Sequence, residues 1–83
     1  MASYCFDVDL SGRKDIWCGN YVNDQRARQA AMRMFKSRSR DPNDELFIYF
    51  GRKTSYGDID GECIGKVAYN PSGDSIRFFA EGK

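Results

Sequence analysis

The hydrophobic period of this chain switches at Asn23 and switches back after Pro42. That double switch constrains the fold more than any other feature. In "YCFDVDL", residues 4–10, Tyr4, Phe6, Val8 and Leu10 fall on one face and Cys5, Asp7 and Asp9 on the other. A period of two marks a half-buried strand. "SGRKD" reads as the turn after it, and "IWCGNYV" as a second strand completing a hairpin over residues 4–22. In that strand Trp17 and Tyr21 share one face, while Ile16, Cys18 and Val22 share the other. From Asn23 the spacing becomes helical: Ala27, Ala30, Ala31, Met34 and Phe35 recur on one side. Asn23 is a good N-cap, and Val22 is placed to pack on Ala27 as a hydrophobic staple. The spacing predicts a helix from about Asp24 to Ser37 or Arg38, ended by "SRDPND", because Pro42 cannot continue a helix.

The period of two then returns. "ELFIYFGRK" sets Leu46, Ile48 and Phe50 against Phe47 and Tyr49. "TSYGDIDGE" reads as a polar loop and "CIGKVAYN" as a fourth strand. "NPSG", residues 70–73, is a turn, and "SIRFFAEG" is a fifth strand with Ile76, Phe78 and Ala80 on one face. The predicted fold is one α+β domain over residues 1–83, ordered ββαβββ, with one helix packed on a five-stranded antiparallel sheet. On this reading the helix covers Phe6, Val8, Ile48, Phe50, Ile76 and Phe78. Trp17, Tyr21, Phe47, Tyr49 and Phe79 are left as an aromatic patch on the far face, a surface of the kind that forms interfaces.

A chain of 83 residues buries only about 60–65% of its unfolded surface, which leaves little room for a deep cleft beside a core. There is no histidine, no phosphate-binding glycine loop and no nucleophile with a base beside it. Asp7 and Asp9 share a strand face, and "DIDGE", residues 58–62, resembles the start of a calcium loop. The pair reads as a soluble outer face and the run as an acidic hairpin loop, since Gly61 falls too early for that motif. No enzymatic activity, cofactor or metal is expected. The three cysteines, Cys5, Cys18 and Cys63, are odd in number and widely spaced, so all three are expected as thiols. A Cys5–Cys18 pair on neighbouring strands is the one disulfide this order leaves open. The N-terminus lacks a basic region followed by an apolar run, and no apolar run approaches about 18 residues. The expectation is a cytoplasmic protein, monomeric or homodimeric, with no membrane partner.

Charge supplies the functional signal. The net charge is only +1, yet "RARQAAMRMFKSRSR", residues 26–40, carries six basic residues and no acidic one. Arg26, Gln29, Arg33, Lys36 and Arg40 form one helical stripe, flanked by Arg28 and Arg38 and opposite the alanines. Five of the six are arginine, whose planar fork pairs bidentately with phosphate or carboxylate. A helix serving only structure normally alternates its signs. The expected partner-binding residues are therefore Arg26, Arg28, Arg33, Lys36, Arg38 and Arg40, with Trp17 and Tyr49 from the aromatic face.

In size, element order and basic patch the chain resembles the very small phage-encoded anti-CRISPR proteins, several of which are single α+β domains without catalytic motifs. The resemblance implies an inhibitor that docks on a CRISPR surveillance complex, a protein–nucleic acid assembly in the host cytoplasm, and blocks target DNA binding. The basic helix departs from the acidic DNA mimics of that group. The alternative is a small nucleic-acid-binding accessory domain in direct contact with DNA or RNA.

Overall fold

The computed structural model describes residues 1–81. The chain forms β1 (Ala2–Leu10), β2 (Arg13–Tyr21), α1 (Asp24–Arg38), β3 (Glu45–Lys53), β4 (Ile59–Tyr69) and β5 (Ile76–Ala80). The strands make one antiparallel sheet ordered β2-β1-β3-β4-β5. This is the predicted α+β architecture. β2 and β3 both pair with β1 and therefore run parallel to each other, so the chain must cross the sheet between them. The helix is that crossover, and it lies on one face.

Local chemistry sets the helix ends. Asn23 Oδ1 accepts from the Arg26 N–H at 3.0 Å, as an N-cap should. Val22 remains 64% exposed while Ala27 is fully buried, so the predicted staple between them contributes little. At the far end the Ser39 N–H donates to Phe35 O at 2.8 Å and the chain turns extended. Ala27, Ala31 and Phe35, spaced by four, are 0% exposed and pack on Tyr4, Phe6, Val8, Leu46, Ile48 and Val67. The small alanines let the helix approach the sheet closely. Ala30 and Met34 flank this line and are only half-buried. Tyr4 joins strand to helix, its Oη donating to Asp24 Oδ1 in the first helical turn. Burial, then the hydrogen bond to the Asp24 carboxylate and its charge, push the phenol up to about 12.

The first hairpin differs from the sequence expectation. Its turn is the two residues Ser11 and Gly12, with φ of 54° and 82°, not the five of "SGRKD". Positive φ at both central positions matches the twist of a two-residue hairpin. Leu10 then pairs with Arg13 and Phe6 with Trp17. Cross-strand partners face the same side of a sheet. A five-residue loop would have set Leu10 opposite Ile16, and the odd difference of three residues inverts every β2 side chain. Trp17 and Tyr21 therefore lie on the helix face, Tyr21 stacked on Phe6 at 5.9 Å between centroids. The far face keeps Phe47, Tyr49 and Phe79, all half-buried. The predicted aromatic patch loses two of its five members.

β4 begins at Ile59, earlier than expected, because Gly51 and Gly61 face each other in the ladder. A Cβ built on Gly51 would lie 2.5 Å from the Gly61 Cα, so two glycines let these backbones meet. The pairing shifts between Ile48 and Tyr49, which leaves Ile64 as a bulge. Next to it Gly65 has a φ of 153°, and the Phe78 ring fills the space a side chain would need. "NPSG" forms the predicted turn, with the Gly73 N–H donating to Asn70 O at 2.9 Å. The expected fifth strand ran to Gly82, which lies outside the described residues; β5 ends at Ala80. Phe50 sits on the helix face but beyond the helix, and is 48% exposed.

The expectation of three thiols is corrected. Cys5 and Cys18 pair directly across β1 and β2, with Cα atoms 4.1 Å apart, and form a disulfide. The two-residue turn brings them into register. Cys63 is free, and burial pushes its thiol above the usual range. The disulfide closes a short loop, so its reduction should lower stability by about 2–3 kcal/mol. Alkylation of the unfolded, unreduced protein should label one cysteine. Labelling of all three in protein purified without reductant would contradict the pairing.

Candidate binding face on the helix

The helix turns its alanine line to the sheet, so Arg26, Arg33 and Lys36 face outward, while Arg28 and Arg38 lie at its flanks and Arg40 follows its end. Arg26, Arg28, Arg33, Lys36, Arg38 and Arg40 are all exposed. Two ion pairs occur among the described residues, Lys14–Asp9 and Lys66–Glu45, and neither involves the helix. All six cations therefore lack a carboxylate within 4 Å among the described residues.

Two of the six rest on aromatic rings. The Arg28 guanidinium lies 4.1 Å from the Phe78 ring centre on β5, and that of Arg38 lies 5.1 Å from Trp17 on β2. Each flank of the helix thus carries an arginine laid over a sheet aromatic, which fixes its direction. Between α1 and β5 runs an open groove of about 510 Å³, with Met32 and Phe78 below and Arg28, Arg33 and Lys36 along its side. Arg26, at the helix start, belongs to the outer stripe.

The predicted site residues thus separate. The helix sets Arg26, Arg33 and Lys36 outward and Arg28 and Arg38 on opposite flanks, with Trp17 as the floor under Arg38. Arg40, expected in the helical stripe, lies beyond the helix because the chain turns extended at Ser39. Tyr49 does not join them, because it lies on the opposite face of the sheet. There burial, with smaller contributions from Cys63, Asp7 and Glu81, raises its pKa. On that face Lys66 lies 5.7 Å from the Phe47 ring and 6.0 Å from the Phe79 ring, and its ammonium meets Glu45 at 2.9 Å. The remaining aromatic surface is thus crossed by a salt-bridged lysine. Asp9 pairs loosely with Lys14 at 3.8 Å, and among the described residues no three acidic or cysteine side chains cluster as a metal site would require.

Sequence reasoning missed Arg13, Asp15 and Phe78 as neighbours of the helix face. The period of two places Phe78 in the covered core, but it is half-buried under Arg28. Arg13 and Asp15 fall in the expected turn "SGRKD" but belong to β2. The signal that could have found them is Gly12, whose positive φ suits a two-residue hairpin. Comparison of the chain with protein-family models, with curated proteins and with solved structures finds no match. No helix among the described residues is long and apolar enough to cross a membrane.

Proposed function

We propose that this chain is a small non-enzymatic binding protein that presents the outer face of α1 to an acidic partner surface. In this reading it is an anti-CRISPR-like inhibitor that docks on a CRISPR surveillance complex and hinders target DNA binding. The observation that carries the reading is the run of unpaired cations along α1, with Arg26, Arg33 and Lys36 outward, Arg28 and Arg38 on its two flanks and Arg40 just past its end. Such a face contributes little to folding, since like charges at helical spacing repel. It suits association instead, where complementary charge speeds encounter and arginine forks pair with carboxylate or phosphate. The resemblance in size, element order and basic patch supplies the class of partner.

The double substitution Arg33→Glu with Lys36→Glu tests this. Melting should stay nearly unchanged, because both side chains are exposed and neither makes an ion pair that the change would break. Capture of a purified surveillance complex should fall by about tenfold or more, the scale of losing charge pairs at an interface. Unchanged capture by the folded variant would reduce the stripe to a solvated face. Wild-type protein that ignores the complex but shifts naked DNA or RNA, with affinity falling steeply in salt, would establish the accessory nucleic-acid-binding domain instead.

A further inference from the structure

On the other flank of α1 a second groove, of about 630 Å³, runs between the helix end and the edge strand β2. Leu10 and Trp17 line its apolar part, while Arg13 from β2 and Arg38 and Arg40 from the helix end line its charged part. None of the three guanidiniums has a carboxylate within 4 Å among the described residues. The one acid in the lining, Asp15, already has partners. Its Oδ2 accepts from Trp17 Nε1 at 2.9 Å and its Oδ1 from the Ile16 N–H at 2.8 Å. Those two bonds hold its carboxyl below the usual range, so it stays charged at neutral pH while it orients the indole. The lining therefore carries three positive charges and one negative, a net +2.

An apolar floor beneath a cationic rim selects an anion that is also apolar over part of its surface. The volume falls within the roughly 300–1,000 Å³ of small-ligand sites. The Arg38–Trp17 stack adds a planar π surface, and bases stack on arginine planes and aromatic rings alike. Arg38 and Arg40 also complement the helix dipole, which accounts for them without any ligand. Arg13, on a strand, has no such role.

We propose that this groove binds a nucleotide, with its phosphate held by Arg13 and Arg40 and its base against the Arg38–Trp17 stack. The inference goes beyond the helix-face reading, since Arg33 and Lys36 lie outside this groove and Arg13 lies outside the helix. The nucleotide could be free or part of a single strand, and the test separates the two sources.

Trp17 is the single tryptophan of the chain, so its fluorescence reports on the groove. AMP and a short oligothymidylate should each change it saturably. Inorganic phosphate and adenosine should bind about tenfold more weakly or not at all, each having half of the recognised chemistry. An oligothymidylate tighter than AMP identifies a strand as the source, and equal affinities identify the free nucleotide. Arg13→Gln and Arg40→Gln should each weaken AMP by about tenfold with unchanged melting, the scale of one charge-assisted contact. Arg33→Glu with Lys36→Glu should leave AMP affinity within about twofold, whatever it does to complex capture. Three results would overturn the proposal: no saturable response to AMP or the oligonucleotide, inorganic phosphate binding as tightly as AMP, or folded arginine variants that bind AMP normally.

Discussion

Replacing Asp44 with alanine should destabilise this protein by about 3–5 kcal/mol, although Asp44 lies in a loop and is no part of the hydrophobic cluster. Its side chain is 3% exposed and accepts four hydrogen bonds. Ser11 N–H donates to Oδ1 at 2.6 Å. The Ser39 hydroxyl donates to Oδ2 at 2.7 Å, joined by the N–H groups of Arg40 at 3.1 Å and Asp41 at 3.2 Å. One carboxylate thus fastens the β1–β2 turn to the segment that leaves the helix. Alanine would strand those donors, each worth about 1–3 kcal/mol if it stayed dry, and water entering at the partly exposed ones limits the sum. Burial alone would raise the Asp44 pKa, but the four hydrogen bonds outweigh it and hold the carboxyl below its usual range. The folded pKa therefore lies below the unfolded one, and the stabilisation is complete above the unfolded pKa, near 4. It is lost as pH falls through the folded value. Chemical denaturation at neutral and acidic pH checks both parts. The wild type should weaken in acid, and the gap between it and Asp44→Ala should narrow there. A gap that does not change with pH would mean that the charge of Asp44 has no part in the clamp.

Ala31→Asp should unfold the domain. Ala31 is 0% exposed between Ala27 and Phe35, in the line that touches the sheet, and the one hydroxyl in its buried cluster, that of Tyr4, already donates to Asp24. Burying an unpaired charge there costs about 5 kcal/mol or more, comparable with the roughly 5–10 kcal/mol that holds a domain of this size together. Ala30→Asp should be milder. The helical pattern treats Ala30 and Ala31 alike, but Ala30 is half-buried at the side of the helix and a carboxylate there can reach water. Circular dichroism of both variants tests the placement. Equal losses would mean that the helix is rotated about its axis from the orientation described.

Much of the fold was legible because periodicity is a direct print of burial. The switch at Asn23 located the helix, the alanine spacing identified its inner face, and Pro42 set its end to within a residue or so. The outward direction of Arg26, Arg33 and Lys36 followed from the same geometry, since a helix that buries one side must expose the other, whereas the rings under Arg28 and Arg38 and the placement of Arg40 past the helix end did not. What one chain read in order could not supply was the register between strands. The faces of Trp17 and Tyr21 depend on whether the hairpin loop holds an odd or an even number of residues, and "SGRKD" and "SG" differ in that parity. The same register pairs Cys5 with Cys18 and carries Arg13 to the helix end.

The sequence by itself determined the element order, the helix with its buried and charged faces, and the absence of histidine chemistry. Each of these depends on residue type and on spacing within one element, where covalent geometry is fixed. Only the tertiary structure decided which aromatics lie under the helix, which cysteines bond, and that Asp44 ties two loops together. It also decided that arginines from a strand and a helix end share one groove. Those facts depend on distances between segments far apart in the chain, and such distances are set by strand pairing and packing rather than by local pattern.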